Sequence, residues 1–187
     1  LPRGAPNASP DGAWLAVSGL RSLIPISVLA EPVLKLAGME ILPELWANRI
    51  SLKNAAAGLT FYKTTDGSQV RAKLPTDVQL GPIRWSNKGD KVACIAYAKG
   101  GADLWIVEAA TGNARRIEGA KLYAIGNIME WSNDDTSIFA ALVVSDSKSI
   151  PGVSGVPDGP ALRKSSGRAT PQRTSRDATQ ASTSSAA

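Results

Sequence analysis

The feature that most constrains the fold of this chain is an internal repeat with a period of about 45 residues. Residues 83–93 (IRWSNKGDKVA) recur as residues 129–139 (MEWSNDDTSIF), an offset of 46. A second segment recurs with almost the same spacing, since residues 59–67 (LTFYKTTDG) are similar to residues 104–112 (LWIVEAATG), an offset of 45. A more divergent copy of the first segment lies earlier in the chain, at residues 8–17 (ASPDGAWLAV). Such a period is typical of architectures in which each repeat packs on its neighbours.

Each copy combines turn residues with short segments that favour strands. Residues 9–12 (SPDG) and 86–89 (SNKG) contain the Pro, Asn, Asp and Gly that chain reversals require. Residues 91–97 and 104–107 are rich in β-branched and aromatic side chains and have the length of strands. Four short antiparallel strands per repeat predict an all-β fold, an incomplete β-propeller of about two and a half to three four-stranded blades. A β-sandwich with similar hairpins is the alternative.

The repeat also predicts how the chain is divided. A partial propeller is expected over residues 1–156, with blade units at about 7–67, 81–117 and 127–145. The first unit carries an insertion at 20–57, where Glu31 and Pro32 followed by apolar residues up to Ile41 predict a short amphipathic helix. Residues 157–187 are predicted to be a linker and disordered basic tail rich in Ser, Thr and Ala. Because propellers close with about 4–8 blades, an open sheet edge is expected.

The composition excludes several kinds of chemistry. The chain has no histidine, so it supplies neither a Ser-His-Asp triad nor a histidine-rich zinc site. Its single cysteine, Cys94, forms no disulfide within the chain and lies in a strand pattern, where cysteine usually acts as a small core hydrophobe. Apolar runs are too short for a membrane helix, because charged residues and prolines interrupt residues 20–43. The chain begins with Leu1 and no leader pattern, which favours a processed chain or a fragment.

The net charge of +5 is concentrated at one end of the chain. Residues 161–187 contain five basic residues and one acidic residue, which leaves residues 1–160 nearly neutral. That basic segment has no aromatic residue on which a nucleic-acid base could stack. Nucleic-acid binding is therefore not expected.

The remaining candidate residues have simpler structural interpretations. Ser154 lies in a Pro/Gly-rich loop without the second glycine of a nucleophile elbow. The pairs Glu40 with Glu44 and Asp134 with Asp135 are interpreted as a solvated helix face and a hairpin turn, rather than as acid–base or calcium sites. Trp85 and Trp131 occupy the same repeat position, which favours packing between blades over ligand stacking. We predict no catalytic, cofactor-binding or metal-binding residue and no cofactor.

The most specific stretch of the sequence is LAEPVLKLAGMEI at residues 29–41, which is similar to a stretch of the form LAxPxLKLAGxRI. With this stretch, the chain resembles the N-terminal part of glutamyl endopeptidase-like members of the prolyl oligopeptidase family. The turn at 9–12, the strand at 104–112, and the segments at 156–160, 165–168 and 173–174 are also similar, so the resemblance covers about residues 8–174. After Thr174 the chain departs from the family, and nothing in it corresponds to the family's catalytic hydrolase domain.

The resemblance implies the N-terminal, substrate-gating propeller portion of a serine-type peptidase, a hydrolase that acts in proteolysis. The propeller portion would be non-catalytic by itself. A peptide substrate would be bound and cleaved by the hydrolase domain of the full-length relative. It would belong to the plastid stroma or the bacterial periplasm. Two alternatives stay open. One is a stand-alone binding or scaffold propeller that closes by self-association through its open blade edges, and the other is a truncated, non-functional product.

Overall fold

The computed structural model describes residues 6–20, 31–76, 78–98, 100–126 and 128–144. These residues form mainly antiparallel β-strands and one short helix, so the predicted all-β class is confirmed. The strands are β1 (Pro6–Ala8), β2 (Trp14–Leu20), β3 (Leu34–Leu36), β4 (Met39–Leu42), β5 (Ala47–Asn48), β6 (Ala56–Lys63), β7 (Gln69–Arg71), β8 (Gln79–Trp85), β9 (Lys91–Ala98), β10 (Gly101–Glu108), β11 (Ala114–Lys121), β12 (Met129–Trp131) and β13 (Ile138–Ala140). The helix is α1 (Arg49–Lys53). The predicted tail at 157–187 lies outside the described residues.

The main sheet contains two antiparallel meanders of four strands each. In the first, which we call repeat 1, the neighbours are β1, β2, β6 and β7 in that order. In the second, repeat 2, the strands β8 to β11 follow chain order. A single residue pair, Ala56 with Leu80, joins the two meanders into one eight-stranded sheet. The pair β12 and β13 forms repeat 3, and the described strands form no closed barrel.

Repeat 2 is packed on both faces, as strand β9 shows. Its side chains Val92, Cys94 and Ala96 belong to a hydrophobic cluster shared with repeat 1. The alternate side chains Ala93, Ile95 and Tyr97 of the same strand belong to a second cluster, shared with repeat 3 and with the insertion. Because successive residues of a strand point to opposite faces, a strand covered on both sides is apolar throughout. This explains why the strand lacks the polar alternation of a half-exposed sheet.

The insertion between β2 and β6 is mainly a small three-stranded sheet, so the prediction of a helix over residues 31–41 is wrong. Strands β3 and β4 form a hairpin in which Leu34 lies opposite Ile41. Its two turn residues, Ala37 and Gly38, have φ values of 48° and 81°, as two-residue turns of this kind require. Leu34 and Ile41 are seven residues apart, a spacing that fits a helix face and a two-residue hairpin equally well.

The helix in the described part of the insertion begins at Arg49, outside the predicted helical segment. Its first turn is capped by the side chain of Asn48, whose Oδ1 accepts a hydrogen bond from the backbone N–H of Ile50 at 3.0 Å. Leu52 is its buried residue and packs in the cluster shared by repeats 2 and 3. Residues 21–30 of the predicted insertion lie outside the described residues.

Candidate functional site

Each repeat starts with a hairpin that is closed by a serine in the same way. In repeat 2, the N–H of Ser86 donates to the carbonyl of Lys91 at 2.9 Å, and the N–H of Lys91 donates to Ser86 Oγ at 3.1 Å. The same two bonds join Ser9 to Trp14 in repeat 1 and Ser132 to Ser137 in repeat 3. The three repeats therefore share the same hydrogen bonds in this hairpin as well as similar amino-acid sequences.

The serine hydroxyls and the fourth turn residues repeat as well. Each hydroxyl donates to a carboxylate of its own turn, and the acceptors are Asp11 (2.5 Å), Asp90 (2.8 Å) and Asp134 (2.6 Å). The fourth residue of each turn has a positive φ, with values of 72° at Gly12, 75° at Gly89 and 59° at Asp135. Glycine adopts this conformation without strain, and aspartate is among the few other residues that tolerate it.

Successive repeats are joined by a tryptophan at the position before the serine. The indole Nε1 of Trp85 in repeat 2 donates to the backbone carbonyl of Asn7 in repeat 1 at 3.2 Å. The indole Nε1 of Trp131 in repeat 3 donates to the backbone carbonyl of Arg84 in repeat 2 at 3.1 Å. Asn7 and Arg84 are equivalent, because each lies two residues before its turn serine. The predicted role of both tryptophans in packing between repeats is confirmed.

Asp135 forms a second link between repeats 2 and 3. Its carboxylate accepts hydrogen bonds from the backbone N–H groups of Asn87 at 2.7 Å and Lys88 at 2.9 Å, and from the side-chain amide of Asn87 at 2.8 Å. Partial desolvation raises the pKa of Asp135, but these hydrogen bonds outweigh that effect and hold the pKa below its usual value. The carboxylate therefore acts as a structural hydrogen-bond acceptor between the turns of repeats 2 and 3. Asp135 itself lies in a hairpin turn, where the sequence analysis placed it.

A groove of about 300 Å³ lies between repeats 2 and 3. Apolar side chains line it, among them Leu104 and Ile106 of β10, Ile117 of β11 and Trp131. Charged residues of both repeats line it as well, among them Lys91, Glu108, Arg115 and Asp135. Repeat 2 has four strands, while the described part of repeat 3 contributes β12 and β13.

The exposed face of repeat 3 carries the apolar residues Phe139 and Ile128 beside Glu130, whose carboxylate pairs with Arg84 of repeat 2 at 3.4 Å. Phe139 is 67% exposed and Ile128 is 61% exposed. The residues equivalent to Phe139, Ala16 in repeat 1 and Ala93 in repeat 2, are fully buried against the repeat that follows each of them. Alignment of the repeats already shows that Phe139 replaces the alanine of the other two repeats. Only the structure shows that the side chain of Phe139 is exposed among the described residues.

Two of the residues singled out in the sequence, Cys94 and Glu40, lie in the described part of the chain. The Cys94 thiol is fully buried, and burial raises its pKa to about 12, which opposes a nucleophilic role. Glu40 lies on strand β4 beside Arg49 at 3.5 Å, so its interpretation as part of a helix face with Glu44 is wrong. Ser154 lies outside the described residues.

Neither a metal centre nor a membrane-spanning helix is found in the part of the chain that the structure describes. No group of three or more His, Cys, Asp or Glu side chains in that part could hold a metal ion. Asp134, half of the predicted turn pair, instead accepts hydrogen bonds from Ser132 and Thr136 that lower its pKa to about 2. No described helix is long and apolar enough to cross a membrane.

The candidate site is thus a set of interfaces between repeats that ends in an exposed apolar face. Its side chains hold successive repeats together through the hydrogen bonds of Trp85 and Trp131. Neither protein-family models nor curated protein sequences match this chain.

Proposed function

We propose that this chain is the substrate-gating propeller portion of a serine peptidase resembling glutamyl endopeptidase and other members of the prolyl oligopeptidase family. In this role the chain performs no catalysis. It restricts which polypeptides reach a catalytic hydrolase domain, so it selects substrates by access. The compartment proposed with this role is the plastid stroma or the bacterial periplasm.

The observation that carries the proposal is the identical step between consecutive repeats. The same indole-to-carbonyl hydrogen bond relates repeat 2 to repeat 1 and repeat 3 to repeat 2. Repetition of one packing step between four-stranded antiparallel meanders is the way in which propeller blades are arranged around an axis. Repeats 1 and 2 each contain four antiparallel strands, the number found in a propeller blade, and the described part of repeat 3 contains two.

A gating role also fits the chemistry of the described residues. Many of their side-chain interactions are hydrogen bonds within and between turns, for which Asp135 and Trp131 are examples. Such groups stabilise an arrangement of repeats and leave proton transfer or nucleophilic attack to another domain.

The direct test is a chimera in which this chain replaces the corresponding N-terminal region of an active glutamyl endopeptidase. We expect the chimera to cleave a short glutamyl peptide at a rate close to that of the parent enzyme and to reject a folded protein substrate. A matched chimera with β12 and β13 deleted should lose this discrimination. If the first chimera folds but cleaves folded and short substrates without discrimination, the gating proposal is wrong.

A second candidate function is favoured by the exposed face of repeat 3. A stand-alone scaffold that closes by self-association would need an apolar surface at its end, and Phe139 and Ile128 form one. In light-scattering measurements after size-exclusion chromatography, a scaffold of this kind would have the mass of a defined oligomer. A monomeric mass at high protein concentration would contradict the scaffold function.

A further inference from the structure

The two observed contacts between repeats define what a further repeat must supply to bind the outward face of repeat 3. In both contacts the later repeat donates an indole N–H from the residue before its turn serine. In both, the acceptor is the backbone carbonyl two residues before the serine of the earlier repeat, first Asn7 and then Arg84. The equivalent carbonyl in repeat 3 belongs to Glu130.

The side chains around that carbonyl continue the same pattern. Phe139 and Ile128 lie on the outward face with Glu130, while the neighbouring Met129 is buried towards repeat 2. The position of Phe139 is the one that the following repeat covers completely at Ala93. The face is therefore in register with an interface that already exists twice in the molecule, with Phe139 at the position where the two existing interfaces bury Ala16 and Ala93.

We infer that the outward face of repeat 3 is a docking surface for another strand–turn–strand repeat that carries tryptophan immediately before its turn serine. This inference rests on the proposed arrangement of propeller blades and adds the identity of the partner. The partner donates its indole N–H to the carbonyl of Glu130 and covers Phe139 and Ile128 with the apolar face of its first two strands.

The chain itself does not supply this partner. The two indole donors that precede a turn serine, Trp85 and Trp131, already bind Asn7 and Arg84. Repeat 1, which is preceded by no other described repeat, has Ala8 at this position, and residues 145–187 contain no tryptophan. A second copy of the chain could therefore offer the apolar residues of repeat 1, but without the hydrogen bond that marks both internal interfaces.

One substitution tests this directly, because Ala8 is exposed. Ala8→Trp gives repeat 1 the missing indole, and Ala8→Phe is the matched control, with an aromatic ring but no N–H donor. Each is combined with Phe139→Glu, which blocks the molecule's own docking face and prevents chains from growing. These double variants are mixed with the unmodified full-length chain, and binding is measured by sedimentation velocity over a concentration series.

We expect a 1:1 complex between the unmodified chain and Ala8→Trp/Phe139→Glu, with an affinity at least about fivefold higher than that of Ala8→Phe/Phe139→Glu, as one additional hydrogen bond implies. Replacing the unmodified chain by Ile128→Glu or Phe139→Glu should abolish the complex. Circular dichroism and urea denaturation of every variant establish that each is folded.

Three results would overturn the inference. One is equal binding by the tryptophan and phenylalanine variants, and another is no binding by either. The third is self-association of the unmodified chain that Phe139→Glu abolishes, which would show that Ala8 is sufficient and would support the scaffold function. The gating proposal is tested separately by the chimera, so each can fail without the other.

Discussion

Gly89→Ala tests how the turns of repeats 1 and 2 pack against each other. Gly89 has a φ of 75°, and a Cβ atom placed on it would lie 2.5 Å from Oδ1 and 2.8 Å from Cγ of Asp11 in the neighbouring turn. That carboxylate cannot move freely, because it accepts hydrogen bonds from Ser9 Oγ at 2.5 Å and from the N–H of Ala13 at 3.1 Å. The methyl group therefore displaces a fixed acceptor.

A matched control separates the conformational cost from the contact. Gly12 occupies the same turn position in repeat 1 with a φ of 72°, but a Cβ atom there would meet nothing within 4 Å. Gly12→Ala should therefore lower the unfolding free energy by only about 1 kcal/mol. This is the cost of placing alanine in a left-handed conformation, reduced by the gain from a less flexible unfolded chain. Gly89→Ala should cost that amount plus about 1–2 kcal/mol for the disrupted hydrogen bonds of Asp11.

The assay is urea denaturation of the two single variants, of Asp11→Ala, and of the Asp11→Ala/Gly89→Ala double variant. In the Asp11→Ala background, the cost of Gly89→Ala should fall to about 1 kcal/mol, which gives a coupling energy of about 1–2 kcal/mol between the two turns. Equal costs for Gly12→Ala and Gly89→Ala, or a coupling energy of zero, would refute the packing of these turns against each other.

Three further predictions concern groups within and between the repeats. Cys94 should resist a thiol reagent in the native protein and react at once in urea, and fast native labelling would contradict its burial. Trp131→Phe should lower the unfolding free energy by about 1 kcal/mol, because the ring is retained while the hydrogen bond to Arg84 is lost; an unchanged urea midpoint would contradict that bond. Because hydrogen bonds lower the folded-state pKa of Asp134 to about 2, from 3.8, its stabilising effect is present above about pH 4 and lost as the pH falls towards 2. Asp134→Asn should make the melting temperature depend less on pH in that range, and an identical dependence would contradict the low pKa.

The sequence predicted the repeats and their turns well, because both depend on local chemistry. In each turn the serine, the carboxylate and the residue with positive φ lie within six positions of one another. The hairpins at Ser9, Ser86 and Ser132 can therefore be predicted from the local sequence. The same holds for strand β9, whose β-branched and aromatic side chains suit a strand in any surroundings.

The insertion shows where local reasoning failed. Leu34 and Ile41 would share a helix face, and they also face each other across the two-residue turn at Ala37 and Gly38. The helical alternative has good local propensity, and the choice between the two depends on contacts with repeat 2 that are distant in the sequence. Leu42, for example, packs in the same cluster as Ile95 and Leu104.

The sequence by itself therefore determined the all-β class, the period, the serine-closed turns and the absence of histidine chemistry, since each follows from composition or from residues close together in the chain. Only the tertiary structure decided which carbonyl each tryptophan binds, that Asp135 accepts from Asn87 and Lys88 of another repeat, and that Phe139 stays exposed where Ala93 is buried. The two hydrogen-bond contacts are between residues more than 40 positions apart in the sequence. The difference between Phe139 and Ala93 depends on what surrounds each of these equivalent residues. The physical reason is that burial and pairing between repeats depend on which faces meet, and the free energy of that packing is not encoded in any single segment.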